Sequence, residues 1–512
     1  MNRQIRILSV VVLLCYVALF VKLNQIQLFE ASALDHHPGN SRLIERDFNR
    51  PRGTITTADG VLVAKSDPTK GRFAYQRSYP TNDLFANVVG SYSYLFGSDG
   101  VEKQYDAELA GQTEALQVHG YTNLKSYFVE HSDVGNVMMT LRDDVQQAAK
   151  TALGNRKGSV VALDPRTGAV LAMWSYPSYD PNATSSNDSK VAKATRQFLD
   201  AVPDKPRLAK AYRDRFFPGS TFKVITSSAG VESGKVTDTS PSYPRAASYT
   251  PPGTTKALHN FDGEVCGGTL PLILAVSCNS AFAQMGAATL GPQIMVNEAN
   301  HFGFNSAPPI DLPGAVSSVF PIDYGKQLHP GVDPGDAPVF ENTAKLAQAS
   351  IGQSSVSATP LEMALVAAAI ADRGTIMVPH VMSEVDDVDG SPVETYQSKV
   401  WRTATTSATA DVVFQDMLGV AQSGTATAIK IAGVQIGAKT GTAQIGTNPP
   451  RSHAWTIAFA GQPGQTPAVA VAVIVEGQPG DSEQTGGRVA APIARAVIQA
   501  AMTPMTRGSA PH

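Results

Sequence analysis

Residues 216–224 read FFPGSTFKV, which places a serine three positions before a lysine and directly after a Pro-Gly pair. Residues i and i+3 of a helix share a face, so a helix that begins here would bring Ser220 and Lys223 together. A serine hydroxyl needs a base before it can act as a nucleophile. A buried lysine near a helix N-terminus has a lowered pKa and can be that base. The stretch predicts either a nucleophilic serine with its own base or a simple helix cap at Ser220.

Two further motifs decide between these interpretations, because S-x-x-K alone recurs by chance in a chain of 512 residues. Residues 277–279 read SCN, an S-x-N pattern, and residues 439–442 read KTGT. S-x-N is itself weak, since residues 185–187 (SSN) match it too. In this order, S-x-x-K, S-D-N and K-T-G form the motif set of penicillin-binding proteins and class A β-lactamases. The three motifs together predict a serine acyl-transfer enzyme.

The composition is that of a globular protein with room for two or three domains. Hydrophobic residues make up 43% of the chain and charged residues 17%, with a net charge of -3. No long basic run is present, so the sequence offers no electrostatic basis for nucleic-acid binding. The ten histidines show no HExxH or similar ligand spacing, and we therefore expect no metal site and no cofactor.

The N-terminus has the pattern of a membrane segment. Arg3 and Arg6 precede an uncharged run at residues 7–21. A cleaved signal peptide would use the small residues 31–33 (ASA), which lie far beyond the apolar run. A lipoprotein would use Cys15, which lies in the middle of the run after a bulky leucine. We favour an uncleaved, single-pass anchor in the cytoplasmic membrane, with the arginines inside and most of the chain outside.

The rest of the chain divides into two blocks. Asp59-Gly60 lies between two strand-like runs and predicts a hairpin in the first block. The second block reads as helix, strands, a helical middle, then strands and a helix, which predicts an α+β fold whose first and last strands share one sheet. The predicted domains are a cytoplasmic tip and transmembrane anchor (1–30), a β-rich pedestal (31–140), a catalytic domain (141–505) and a tail (506–512).

Several elements of the second block can be predicted individually. Helical periodicity covers the run MTLRDDVQQAAKTAL at 139–153. The predicted hairpin strands are 160–163 and 169–174, and the predicted later strands are 436–439, 453–460 and 468–476. The predicted helices are 225–233, which Gly234 ends, 359–375 and 489–502.

The cysteines leave one question open. Cys266 and Cys278 could pair in an oxidising space and close a short loop. They could equally be two buried free thiols.

The chain resembles the class B penicillin-binding proteins, which are membrane-anchored monofunctional D,D-transpeptidases of peptidoglycan synthesis. RPRGTITTADGVLVA (51–65) and GSDGVEKQYDAELAG (97–111) resemble the pedestal motifs of that family. VALDPRTGAVLAMWSYPSYDPN, FPGSTFK, SCNSAFAQ, ATPLEMALVAAAIADRG, KTGTAQ and HAWTIAFAG resemble its transpeptidase domain in order. The short pedestal is most similar to the actinobacterial cell-division type.

The resemblance implies a fold and a role for each motif residue. The fold is the penicillin-binding and serine β-lactamase-like one, an antiparallel sheet flanked by helices with an all-helical part, above a pedestal of dimerisation-domain type. Ser220 is the expected acylated nucleophile, Lys223 its base, Ser277 a proton relay and Lys439 an electrostatic group, and Asn279, Thr440, Gly441 and Thr442 are the expected substrate-binding residues.

The resemblance also implies partners, and it leaves other functions to be compared with transpeptidation. The expected ligands are peptidoglycan stem peptides and β-lactams, and the expected partners are division or wall-synthesis proteins that include a glycosyltransferase. A bifunctional class A synthase would need a further domain, and a β-lactam sensor would need more membrane spans. A β-lactamase-like hydrolase and a weakly active scaffold of the wall-synthesis complex remain alternatives.

Overall fold

The computed structural model describes residues 2–27, 41–116, 134–331, 336–446, 451–478 and 484–505. The small-residue stretch 31–33 and the predicted tail lie outside these ranges. Helix Asn2–Gln25 is longer than the apolar run within it. Its 23 residues Arg3–Gln25 are long and apolar enough to cross a bilayer, and none of the side chains is buried by the rest of the protein.

A five-stranded antiparallel sheet, here called the central sheet, forms the middle of the second block. Its strands follow the order Gln435–Gln444, Ser452–Gly461, Val469–Val475, Gly158–Leu163 and Val170–Tyr176. The sequence VAVAVIV at 469–475 is buried at every position, as expected for a strand covered on both faces. Val469–Val475, the last described strand, pairs with Gly158–Leu163, the first strand of the second block that belongs to this sheet. This pairing confirms that the first and last strands share one sheet.

Helices cover this sheet. Asp143–Leu153 and Ala491–Met502 pack against each other and against the sheet, and the wholly buried helix Pro360–Ala371 packs against three of its strands. The predicted helix at 139–153 is too long, because residues 136–139 form a strand and the helix begins only at Asp143. Aspartates at its first two positions suit the positive end of the helix dipole.

A second sheet of six strands, the pedestal sheet, occupies the N-terminal block. Ile55–Thr56 and Leu62–Pro68 form the hairpin predicted at Asp59-Gly60. The strand Met382–Asp386, from far along the chain, pairs with Asn136–Met139 and extends this sheet. The pedestal is therefore completed by residues of the second block, and one continuous set of buried apolar residues runs through both.

A buried ion cluster holds the pedestal together. The Glu102 carboxylate accepts hydrogen bonds from Arg52 Nε at 2.7 Å and Arg77 Nε at 2.6 Å. Tyr79 donates a third at 3.1 Å. Burial by itself would raise the pKa of Glu102, but the two guanidinium groups bring that pKa below its ordinary value. Side chains from residues 52, 77 and 79 are thus bound to one carboxylate of the helix Gly100–Gln104.

Shorter elements fill the remainder of the described chain. The other strands are Tyr75–Ser78, Tyr92–Ser93, Gly97–Ser98, Tyr243–Ala246, Ser248–Tyr249, Leu258–His259, Cys266–Gly268, Gln327–His329, Val339–Phe340, Thr375–Met377, Pro392–Thr395 and Val400–Thr403. The other α-helices are Ser41–Phe48, Ala86–Val89, Gly100–Gln104, Asp106–Leu109, Pro181–Thr184, Ser189–Ala201, Lys210–Arg213, Lys223–Glu232, Leu270–Ala275, Asn279–Gln284, Gly291–His301, Thr343–Ala349 and Ser407–Gln422. Gly219–Phe222, Phe261–Gly263 and Thr427–Ile429 are 3-10 turns, and Met285–Leu290 and Gly486–Ala490 are π turns.

Candidate active site

Ser220 lies in a tight turn at the start of a buried helix. Gly219–Phe222 forms a 3-10 turn that runs directly into the α-helix Lys223–Glu232. Ser220 is half-buried, whereas Lys223 is fully buried. The helix predicted after FPGSTFK is confirmed, and its first turn is tightened. No side-chain hydrogen bond holds the Ser220 hydroxyl within the described part of the chain, so that hydroxyl is free to meet a ligand.

Lys223 connects this turn to the SCN motif. Its Nζ donates to the Ser277 carbonyl at 2.6 Å and to Asn279 Oδ1 at 2.7 Å. The Ser277 hydroxyl lies 3.2 Å away. Burial and the nearby charge of Lys439 hold the pKa of Lys223 well below its ordinary value. Lys223 Nζ thus contacts three polar atoms of residues 277–279, and its lowered pKa favours the neutral form that can act as a base.

Ser277 lies between the two motif lysines. Lys439 Nζ donates to Ser277 Oγ at 2.8 Å and to the Thr440 carbonyl at 2.8 Å. Burial lowers the pKa of Lys439 to about 7. Ser277 has a φ of 60°, which is unusual for a residue other than glycine. This conformation is one way in which backbone strain is stored at functional sites.

The KTG motif lies in the middle of a strand rather than at its end. We predicted a strand at 436–439, but Gln435–Gln444 pairs with its neighbour over its whole length. It is the edge strand of the central sheet, so one side of its backbone is open to a peptide that adds as a further strand. Gly441 allows this strand to approach the Ser220 turn closely, because a Cβ at position 441 would lie only 2.9 Å from the Pro218 carbonyl oxygen.

Thr442 faces the same turn. A Cβ at Gly219 would lie 2.9 Å from the Thr442 carbonyl oxygen. The N–H and C=O of one residue in an antiparallel strand point to the same side. The Thr442 amide therefore points toward the Ser220 turn as well, and the two backbone amides of Ser220 and Thr442 can converge on one oxygen atom.

Replacing Gly219 by alanine tests this close approach. Gly219 has a φ of 54°, so a side chain adds backbone strain of roughly 1–3 kcal/mol. The added Cβ would also press against the Thr442 carbonyl oxygen and move the turn away from the KTG motif. We expect lower stability and slower reaction of Ser220 with a β-lactam, measured by thermal unfolding and by acylation rate.

Gly234→Ala is the matched control for that variant. Gly234 has a φ of 69°, but nothing lies within 4 Å of the position its Cβ would take. It should show the backbone strain without the loss of acylation. Equal acylation rates in the two variants would contradict the role given to the Gly219 approach.

The open question about the cysteines is resolved in favour of a bond. Cys266 and Cys278 form a disulfide, with Cα atoms 5.8 Å apart. Cys278 is the middle residue of the SCN motif, so this bond joins the motif directly to the strand Cys266–Gly268.

All eight predicted site residues lie at this one place, but sequence reasoning missed others. Thr425 Oγ1 is 2.6 Å from Thr440 Oγ1, and its amide donates to the Ala275 carbonyl. Trp455 donates from its indole nitrogen to the Phe217 carbonyl at 2.9 Å. Thr425 lies in no motif, and Trp455 lies in the HAWTIAFAG stretch but was given no role in the site. The second S-x-N match, residues 185–187, lies outside this site, because the Asn187 side chain donates to the Tyr75 carbonyl in the pedestal.

Comparisons with known proteins agree with this geometry. Residues 158–499 match the penicillin binding protein transpeptidase domain, and residues 52–136 match the penicillin binding protein A dimerisation domain. The chain is 39% identical to a peptidoglycan D,D-transpeptidase PbpA of Mycolicibacterium smegmatis, over 98% of this chain and 99% of that protein. It is 38% identical to PbpA of Mycobacterium tuberculosis, again over 98% and 99%.

Solved structures give the same result. Penicillin-binding protein A from M. tuberculosis, as a ceftriaxone acyl-enzyme complex, matches with a TM-score of 0.79 and 36% identity, over 90% of this chain and 100% of that one. Penicillin-binding protein 2 of Pseudomonas aeruginosa matches with a TM-score of 0.69 and 27% identity, over 89% of this chain and 97% of that one. The three motifs, their shared site and these matches show that the chain belongs to the class B penicillin-binding proteins, the family of peptidoglycan D,D-transpeptidases.

Proposed function

We propose that this protein cross-links peptidoglycan stem peptides through an acyl-enzyme on Ser220. The observation that carries the proposal is the Lys223 amine, which is buried beside the Ser220 turn and bonded to both polar side chains of the SCN motif. Burial and the charge of Lys439 lower the pKa of Lys223, which favours the neutral amine that a general base requires. The relatives named as D,D-transpeptidases match the chain over nearly its full length, which supports the same activity.

The first half of the reaction forms the acyl-enzyme. Lys223 takes the Ser220 proton while Oγ bonds to the carbonyl carbon of the penultimate D-Ala. The amides of Ser220 and Thr442 stabilise the resulting oxyanion. The C–N bond then breaks, and the leaving amine of terminal D-Ala receives a proton through Lys223 and Ser277.

The second half transfers the acyl group. An amine of a neighbouring stem peptide attacks the ester carbonyl and loses its proton to the same base. The C–O bond to Ser220 breaks and Oγ is protonated again, which leaves a new amide cross-link. A β-lactam would enter the first half in place of the peptide and remain on Ser220 as a stable ester.

The KTG strand and Asn279 supply substrate recognition. The hydroxyls of Thr440 and Thr442 would bind the terminal carboxylate, and the positive charge of Lys439 would attract it. Gly441 keeps the strand close to the Ser220 turn. Asn279 would bind the amide carbonyl that precedes the scissile bond, because its side chain bridges the base and the cleft.

Acylation should depend on pH in both directions. Protonated Lys223 cannot accept a proton, so the rate should fall as the pH drops through its lowered pKa. Neutral Lys439 attracts a carboxylate less well, so the rate should also fall above the pKa of about 7. Acylation rates measured by stopped flow from acidic to alkaline pH should therefore give a bell-shaped profile, with an acidic limb from Lys223 and an alkaline limb from Lys439. Lys439→Arg should remove the alkaline limb, since arginine stays charged, and a bell unchanged in that variant would contradict this assignment.

The direct test of the activity is release of D-Ala from a pentapeptide donor, with and without an acceptor amine. Cross-linked product that appears with the acceptor, and disappears in Ser220→Ala, would support transpeptidation. Hydrolysis alone would favour a hydrolase, and no release would favour a scaffold.

The placement of the enzyme is part of the same proposal. Helix Arg3–Gln25 would anchor the chain once in the cytoplasmic membrane, with its N-terminal arginines inside and the pedestal and active site outside. The resemblance to the cell-division type favours a place in septal wall synthesis, with a glycosyltransferase among the partners.

A further inference from the structure

The SCN motif is held from outside by a segment that no motif marks, residues 243–268, here called the clasp. Strands Tyr243–Ala246 and Cys266–Gly268 pair within it, with Ala246 opposite Cys266. Ser248–Tyr249 pairs with Leu258–His259. The disulfide to Cys278 is one of its attachments to the motif.

Asn260 is the polar centre of the clasp. Its side chain is 6% exposed, whereas the next residue, Phe261, is 50% exposed. Its Nδ2 donates to the Ala246 carbonyl at 2.7 Å and to the Glu264 carbonyl at 2.8 Å. A buried side chain whose amide hydrogens are both bonded, inside a segment that is largely exposed or half-buried, fixes the shape of that segment.

The remaining bond of Asn260 reaches the motif. Its Oδ1 accepts a hydrogen bond of 2.8 Å from the amide of Ser280, the residue after Asn279. The carbonyl of His259 accepts one from Asn279 Nδ2 at 3.2 Å. His259 and Asn260 of the clasp thus contact Asn279, the last residue of the motif, and Ser280, which follows it.

These contacts settle the orientation of the Asn279 amide. Its Oδ1 faces Lys223 and one Nδ2 hydrogen faces the His259 carbonyl. The second Nδ2 hydrogen is then available to a ligand in the cleft. A rotated amide would set its NH2 group against the Lys223 amine and lose both bonds.

We propose that Asn260 is a positioning residue that acts through Asn279, fixing the amide that binds the carbonyl of the substrate. The inference rests on the proposed function, because it gives Asn279 that ligand. Asn260 itself touches neither the nucleophile nor the lysines.

The test is a double-mutant cycle on acylation by benzylpenicillin, whose side-chain amide has the carbonyl in question. Asn260→Ala should weaken binding before acylation about tenfold, with a smaller effect on the acylation step, since one substrate hydrogen bond is misaligned. In an Asn279→Ala background the same change should cost no more than about twofold, because the residue through which it acts is gone.

Thr255→Ala is the matched control, since Thr255 is an exposed clasp residue without a side-chain hydrogen bond among the described residues. If Asn260→Ala does not fold, Asn260→Asp enters the same cycle, because it keeps an acceptor for the Ser280 amide but loses both donors that fix the clasp to the Ala246 and Glu264 carbonyls. An Asn260 variant that behaves like Thr255→Ala, or one whose loss persists without Asn279, would overturn the inference while the proposed function stands. A wild-type protein that is not acylated would overturn both.

Discussion

Lys223→Met is expected to react with a β-lactam about a thousandfold more slowly than the wild type, in line with the usual contribution of a general base. The methionine fills the same buried space, but its thioether sulfur is far too weak a base to take the Ser220 proton. The Ser277 carbonyl and Asn279 Oδ1 lose a donor, so some loss of stability should accompany the effect. Rates are measured by intact mass over hours, beside a thermal unfolding curve.

Lys223→Arg separates the two roles that the lysine could have. Arginine keeps a positive charge and donors but does not lose its proton at physiological pH. If Lys223 acts as a base, the arginine variant should be nearly as slow as the methionine variant. An arginine variant with near wild-type rates would show that charge is sufficient and would contradict the assignment.

Glu102→Gln is expected to lower the free energy of unfolding by about 3–5 kcal/mol, the usual cost of breaking a buried ion pair. Glutamine has nearly the same shape, but it leaves Arg77 buried without a countercharge and leaves Arg52 with only its ion pair to the exposed Asp106. The pedestal contributes strands to the sheet that Met382–Asp386 completes, so the loss should reach the second block. Urea unfolding followed by tryptophan fluorescence would measure it.

Asp200→Asn is the matched control, because Asp200 also pairs with two arginines, Arg196 and Arg207. Its side chain is 51% exposed, and exposed ion pairs contribute only about 0–1 kcal/mol. The pair of variants compares the same chemistry in two environments. Similar losses would show that burial of the Glu102 cluster is unimportant.

The sequence predicts the site well where the chemistry is local. Ser220 and Lys223 are one turn apart, and the KTG residues are contiguous, so each motif is visible by itself. The central sheet was also predictable, because its strands are dense in valine and alanine and bounded by turns. The order of the three motifs then identified residues far apart in the chain as parts of one site.

Contacts between distant residues could not be predicted in this way. Asn260 has neighbours of ordinary loop composition, and its importance arises only from partners that folding brings to it. Met382–Asp386 joins the pedestal sheet because Asn136–Met139 offers it an edge, which no periodicity reveals. The length of the KTG strand was underestimated because glycine inside a strand weakens the strand pattern, and Gly441 lies in its middle.

The central claim is that Ser220 forms a long-lived acyl-enzyme. The most direct measurement is the intact mass of residues 30–512 after mixing with benzylpenicillin, followed over hours beside Ser220→Ala and completed by peptide mapping. We predict a persistent adduct of one penicillin on the peptide that contains Ser220, and none on the variant. An adduct on another residue, one that clears within seconds, or none on the wild type would contradict the account.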